Sequence, residues 1–170
     1  MRFLITASIL AALPLSVTAQ EFDADIDFAG LNRSQFVDEM QKLAEATWAP
    51  MMQLYMRVGP DIAELTPSFE LSEAHLTAYA CMFDQLSDAD ALDEVNTTRD
   101  SMIEFALHLD ANPEYDFVAF VQDETRLDLL VPDDNYLDAS IDCGVIALNQ
   151  NILIESGMMG VLQEKMMQDN

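Results

Sequence analysis

Two cysteines, Cys81 and Cys143, give this sequence its clearest chemical signal. They lack the close Cys-x-x-Cys spacing that lowers a thiol pKa, which disfavours a redox pair or a reactive thiol. A bond between them closes a loop of 62 positions, and by the chain-entropy argument such a bond stabilises a fold by about 4 kcal/mol. We therefore expect one structural disulfide within the chain, with a bridge to a second molecule as the alternative.

Methionine is the second unusual feature, because the chain contains 11 methionines. The clustered ones are Met51, Met52, Met56, Met158, Met159, Met166 and Met167. A flexible, polarisable thioether suits irregular cores and adaptable binding surfaces. We predict an apolar groove whose edges are the segments 51–56 and 158–167, with packing in the protein's own core as the simpler interpretation. The expected occupant of the groove is a protein partner or a small apolar ligand.

Thioethers also bind copper(I), a soft cation, so a soft-metal protein is the alternative function. His75 and Met82 share the apolar side of one predicted helix and are the candidate ligands. A single histidine on an apolar face is more often a hydrogen-bonded packing residue. We therefore expect His75 to be structural, and we predict no bound metal or other cofactor.

Carboxylate catalysis leaves no clear mark, because any pair of acids is inconspicuous among 31 acidic residues. The sequence has no Gly-x-Ser-x-Gly elbow, no glycine-rich phosphate loop and no His-Glu-x-x-His zinc motif. Asp138, Asp142 and Asn149 form a thin polar stripe on an apolar predicted helix, and its simplest interpretation is a solvent-facing edge. We favour a non-enzymatic protein, and a hydrolase that uses paired carboxylates is the second alternative.

The charge balance narrows the class of partner. The chain has 7 basic residues against 31 acidic ones, and its formal net charge is -24. Nucleic acid and anionic lipid surfaces repel such a chain at long range, so neither is an expected partner. The hydrophobic fraction of 51% argues against disorder. We expect a folded acidic domain with a charged, solvated surface.

Residues 1–19 have the pattern of a cleaved signal peptide. Arg2 provides the positive start, residues 3–15 an apolar core, and Val17, Thr18 and Ala19 a small-residue cleavage site. The apolar run is short for a membrane span, so we expect no stable insertion after cleavage. The predicted location is periplasmic or secreted, where two cysteines can oxidise.

Two stretches, 71–86 and 136–154, are apolar nearly all round on a helical wheel, which is typical of helices inside a bundle. Each contains one cysteine near its middle, so we predict that the disulfide joins two central helices. Ser72 is a suitable cap for the first of them. Ser34 is a suitable cap for an earlier helix, which we expect to end or bend at Pro50.

These patterns together predict an all-α fold with a single domain. The expected architecture is a bundle of about five or six helices over residues 34–170. A flexible acidic lead-in is expected at 20–33, between the signal peptide and the bundle. No stretch shows the strict alternation of apolar and polar residues that indicates a strand.

Overall fold

The computed structural model describes residues 23–168. Within that range the chain forms nine α-helices and no strand, which confirms the prediction of an all-α fold. The predicted signal peptide at 1–19 lies outside the described residues.

The helices are more numerous than the five or six that were predicted. In chain order they are α1 (Arg33–Met56), α2 (Pro60–Ala63), α3 (Glu73–Asp88), α4 (Glu94–Ala111), α5 (Phe117–Val121), α6 (Glu124–Leu129), α7 (Asp134–Asp142), α8 (Val145–Glu155) and α9 (Met158–Gln168). Helices α2, α5 and α6 contain 4, 5 and 6 residues. A segment of one or two turns is too short for the helical period to show in a sequence.

The first helix begins earlier than predicted. Its N-cap is Asn32 rather than Ser34, because the Asn32 side chain accepts hydrogen bonds from the backbone amides of Ser34 and Gln35. The Gln35 side chain accepts in turn from the Asn32 amide, which completes a capping box. Asparagine satisfies two of the otherwise unpaired donors of the first turn, and the helix therefore starts there.

The same helix continues through Pro50 and spans 24 residues. A proline inside a helix removes one hydrogen bond and costs about 3 kcal/mol. Beyond Pro50, however, Met52 and Leu54 are almost fully buried. Burial of side chains of this size contributes about 1.5–3 kcal/mol each. Packing therefore offsets the cost of the proline and keeps the helix continuous.

Three apolar clusters pack along α1. Its first half supplies Phe36, Met40 and Leu43 to a cluster shared with α3, α4, α7 and α8. Met52 joins a second cluster with α2 and α9, and Leu54 joins a third with α4 and α5. The central helix of the fold is therefore α1, and the predicted central helix, α3, packs on one half of it.

Part of the segment before α1 packs on the bundle, and it lies within residues 20–33, for which a flexible lead-in stays a prediction. Phe28 is fully buried in the first cluster. Its amide donates to Asn96 Oδ1 at 3.0 Å, and the buried Arg99 donates to the Ile26 carbonyl. Burial of one aromatic ring and these two contacts with α4 anchor a segment whose acidic composition resembles that of a loop.

Helix α3 starts at the predicted cap, because Ser72 Oγ accepts from the backbone amide of His75 at 3.4 Å. Cys81 lies in its middle and is bonded to Cys143, with the two Cα atoms 5.7 Å apart. The predicted intramolecular disulfide is therefore confirmed.

The predicted helix over 136–154 is divided into α7 and α8. Gly144 separates them with a φ of +82°, a left-handed conformation that commonly ends helices and that glycine adopts without steric cost. Cys143 consequently caps the end of α7 instead of lying mid-helix as predicted. The disulfide thus ties the middle of α3 to the junction from which α8 starts.

No single helix within residues 23–168 is long and apolar enough to cross a bilayer. Helices α8 and α9 reach that length and composition only as a pair, which is bent by 79°. Part of their apolar surface enters the second cluster through Leu153, Met158 and Leu162.

Replacement of both cysteines by alanine (C81A with C143A) is expected to lower the free energy of unfolding by about 4 kcal/mol, because the unfolded chain regains the entropy of the 62-position loop. Urea denaturation followed by circular dichroism measures this change. A reductant is expected to destabilise the wild-type protein by a similar amount and to leave the double variant unaffected. Equal stability of the two oxidised proteins would contradict the structural role of the bond.

Candidate functional site

A cavity of about 190 Å³ lies along α1. About half of its lining residues belong to this helix and are spaced three or four positions apart between Met40 and Tyr55, so they share one face. The rest of the wall comes from α3, α4, α7, α8 and the segment before α3. The cavity is therefore lined by elements that lie far apart in the sequence, and it is partly open to solvent.

The wall is aromatic and rich in sulfur. Rings come from Trp48, Tyr55, Phe69, Tyr79 and Tyr136, and thioethers from Met40, Met51, Met52 and Met102. The Trp48 indole donates to the Pro67 carbonyl at 3.2 Å and stacks on Phe69 at a centroid distance of 5.0 Å, which fixes its position. None of the described lining residues carries a charge at neutral pH. Such a wall favours an uncharged ligand.

Asn149, in α8, is a polar residue of this wall. Its Oδ1 atom is buried and accepts no hydrogen bond from the part of the chain that the structure describes. Thr47 differs, because its hydroxyl donates to the Leu43 carbonyl at 2.8 Å. A buried acceptor without a partner costs about 1–3 kcal/mol. Four other side-chain atoms of the described residues are buried without a partner, namely Glu39 Oε2, His75 Nε2, Thr98 Oγ1 and His108 Nε2, but none of these residues lines the cavity.

The predicted polar stripe does not form one face. Asp138 and Asp142 are exposed in α7, whereas Asn149 is half-buried in α8. The left-handed Gly144 turns the chain between these helices, so the angular spacing of a continuous helix does not apply. Only the two aspartates face solvent, and the asparagine faces the interior.

The clustered methionines also divide between different environments. Met51 and Met52 line the cavity. Met52 and Met158 pack in the second cluster, so the two segments expected as opposite edges of a groove meet in one core. The remaining ones are the half-buried Met56 and Met166 and the exposed Met159 and Met167. Two methionines of the first segment, Met51 and Met52, therefore contribute to the cavity, whereas Met56 and the methionines of α9 do not line it.

His75 is buried at the start of α3. Its Nδ1 atom lies 2.8 Å from Ser72 Oγ, and its ring packs edge-on against Phe69. Its Nε2 atom is buried without a hydrogen-bond partner among residues 23–168. Met82, the other candidate copper ligand, is fully buried two turns later, about 10 Å along the helix axis. The pair does not converge on one point, because side chains on a helix lean in the same direction.

Carboxylate and histidine clusters were a further possibility for metal binding. Among the described residues, no group of three or more His, Cys, Asp or Glu side chains is arranged to hold a metal ion. The soft-metal hypothesis, which depends on thioethers, stays a prediction.

The tyrosines of the wall are protonated well above neutral pH. Burial raises the pKa of Tyr55 and Tyr79, and it raises the pKa of Tyr136 to about 12. The fourth tyrosine, Tyr115, lies outside the cavity. Burial and a hydrogen bond from its hydroxyl to Asp123 raise its pKa to about 12. The phenols therefore contribute neutral, partly polar surface to the cavity.

Much of the wall was missed in the sequence. The sequence patterns did not identify several of its residues as site residues, namely Trp48, Tyr79, Tyr136 and Met102. The only available signal was the helical spacing of Trp48 with Met51, Met52 and Tyr55. Apolar residues at this spacing ordinarily indicate core packing. A local pattern cannot distinguish a filled core from a cavity, because the difference depends on the facing helices.

Alkaline titration tests the state of these phenols. Free tyrosine is half ionised at about pH 10, and the native protein is expected to show little tyrosinate absorbance there because every tyrosine pKa is raised. Folding favours the protonated form, so the stabilising contribution is complete below pH 10 and is lost as the pH rises through the folded-state values. Ionisation and unfolding should therefore coincide. Several tyrosines that ionise at pH 10 with an unchanged circular dichroism spectrum would contradict the buried wall.

Comparison with known proteins adds no family assignment. No protein-family model, curated protein or solved structure matches this chain. The functional conclusion therefore rests on the sequence and on the geometry of the cavity.

Proposed function

We propose that this chain is an exported, non-enzymatic binding protein for a small, uncharged and largely apolar molecule that occupies the cavity along α1. One observation carries the proposal: an uncharged wall of aromatic rings and thioethers lines a partly open cavity, and Asn149, whose Oδ1 atom has no hydrogen-bond partner among the described residues, is one of its lining residues. Ligand pockets commonly combine an apolar lining with a few polar groups that fix orientation.

The volume limits the size of the ligand. An engineered apolar cavity of about 150 Å³ in another protein binds benzene, and this cavity measures about 190 Å³. Pockets for drug-sized molecules measure about 300–1,000 Å³. The cavity by itself therefore suits a single ring with one small substituent, or a short chain.

Charge argues for a neutral ligand. The described wall has no cationic side chain to pair with an anion, and the formal net charge of -24 repels anions at long range. A cation would be attracted to the protein, but it would find no carboxylate in the wall. Burial of an unpaired ion of either sign is very costly.

Asn149 defines the polar end of the ligand. A hydroxyl or amide N–H that donates to Oδ1 would satisfy the orphaned acceptor, while a methyl group at the same place would leave it unpaired. The difference is about 1–1.5 kcal/mol for a neutral hydrogen bond, or about tenfold in affinity. Met51 and Met52 complete the site with side chains that adapt to the shape of the ligand.

Export is the second part of the proposal. The pattern of residues 1–19 supports a signal peptide. The disulfide between Cys81 and Cys143 is compatible with an oxidising compartment such as the periplasm or the extracellular medium.

Three probes of similar shape test the binding function: cyclohexanol, methylcyclohexane and cyclohexanecarboxylate. Trp48 is the single tryptophan of the chain and lies in the cavity wall, so its fluorescence reports occupancy. We expect saturable binding of the alcohol and the hydrocarbon and no binding of the carboxylate at neutral pH. Absence of a saturable change with both neutral probes would contradict the proposal, as would preferred binding of the anion.

Asn149→Leu tests the polar anchor with a side chain of similar size. The variant is expected to lose about tenfold of the preference for cyclohexanol over methylcyclohexane. It is also expected to gain about 1–3 kcal/mol in the free energy of unfolding, because the orphaned acceptor is removed. Asn151→Leu is the matched control, since Asn151 lies on the exposed side of α8. An unchanged preference in Asn149→Leu, or an equal change in the control, would rule out this anchor.

A further inference from the structure

A second cavity, of about 210 Å³, adjoins the first. Its wall consists of Thr47, Pro50, Met51, Met102, Phe105 and Leu130. Thr47, Met51 and Met102 also line the first cavity. Two apolar cavities of similar volume are therefore separated by a small set of shared side chains.

The shared side chains differ in their freedom to move. Thr47 is β-branched, and its hydroxyl donates to the Leu43 carbonyl at 2.8 Å, so its rotamer is held. Met51 and Met102 are unbranched, have three rotatable side-chain bonds and are only half-buried. Of the three shared side chains, the two thioethers therefore have the greater rotational freedom.

We propose that Met51 and Met102 form a movable partition, and that the ligand is a neutral single-chain amphiphile, such as a long-chain alcohol or primary amide. Its donor end lies at Asn149, and its apolar tail passes the two methionines towards Phe105 and Leu130. This inference rests on the proposed function, because it describes the occupant of the same cavity.

The volumes favour a chain-like ligand. Each cavity is smaller than the roughly 300 Å³ at which ordinary ligand pockets begin, whereas the two together exceed that value. A passage opened by rotation of two unbranched side chains is about as wide as those side chains. An unbranched alkyl chain therefore fits it better than a second ring does.

The charges favour an alcohol or amide over a fatty acid. Neither wall contains a charged side chain among the residues described. A carboxylate head would find no cation at Asn149, and the chain's formal charge of -24 would oppose its approach. In this proposal the amide oxygen of Asn149 instead accepts a hydrogen bond from a neutral donor, such as a hydroxyl or an amide N–H.

Titration calorimetry with unbranched alcohols from 1-butanol to 1-dodecanol measures how long a chain the site accommodates. Each methylene group moved from water into an apolar site is expected to tighten binding about fourfold. In the wild-type protein, we expect this gain to continue beyond the chain length that fills the first cavity.

Two variants are expected to keep the apolar tail of the ligand out of the second cavity, each in a different way. Leu130→Trp reduces its volume from a side that does not line the first cavity. Met102→Ile keeps an apolar side chain but stiffens the partition, because isoleucine is branched at Cβ. Leu130→Trp is expected to retain 1-butanol affinity, because Leu130 does not line the first cavity. Both variants are expected to stop gaining affinity at a shorter chain length than the wild type. Met159→Ile is the control, because Met159 is exposed in α9 and lines neither cavity.

The outcomes separate this inference from the proposed function. If affinity follows chain length identically in the wild type and all three variants, the partition is wrong and the binding function stands. If no alcohol of any length binds the wild-type protein, the binding function itself fails. Thermal unfolding verifies that each variant is folded. If the larger side chain of Leu130→Trp prevents folding, Met102→Ile decides the result.

Discussion

The packing of α1 against three successive apolar clusters is the interaction on which the rest of this structure depends. The first half of the helix buries Phe36 and Met40, and the second half buries Met52 and Leu54. Because the helix continues through Pro50, the side chains that line the cavity keep a helical spacing and stay on one face. Helix α4 contributes buried residues to the first and third clusters, whereas α1 contributes buried residues to all three.

The disulfide and Gly144 set the second constraint. Cys143 ends α7, and the left-handed glycine after it gives α8 a new direction. Val145 and Asn149 enter the cavity wall as a result of that change. The bond to Cys81 holds the junction against α3, which supplies Tyr79 to the same wall. A cross-link that stabilises the fold therefore also positions one side of the candidate site.

The cavity has features that are unfavourable for stability alone. Protein interiors are close-packed and contain few voids larger than a water molecule, and buried acceptors are normally paired. Here two adjacent apolar cavities and the unpaired oxygen of Asn149 occur together. Proteins tend to retain such costs at functional sites. The formal net charge of -24 and the uncharged wall are both unfavourable for anions.

The sequence predicted the helical class, the disulfide pair and the Ser72 cap, because each depends on information that is local or compositional. Periodicity reports which face of a helix is apolar, and a chain with two cysteines allows one intramolecular pairing. The sequence left open whether α1 ends or bends at Pro50, and it did not predict the division at Gly144 or the packed Phe28. In each case, contacts with residues far away in the chain outweigh a local conformational preference.

The residues of the candidate site were likewise predicted only in part from the sequence. Composition identified methionine as unusual and pointed to an adaptable apolar surface, and Met51 and Met52 do line the cavity. Only the tertiary structure decided that Met158 packs beneath them, that Asn149 faces the interior and that rings from α1, α3 and α7 meet around one space. The sequence determines which helix faces are buried away from water, since that follows from the chemistry of their side chains. Whether those surfaces fill the space between them depends on how distant helices pack, which no local pattern records.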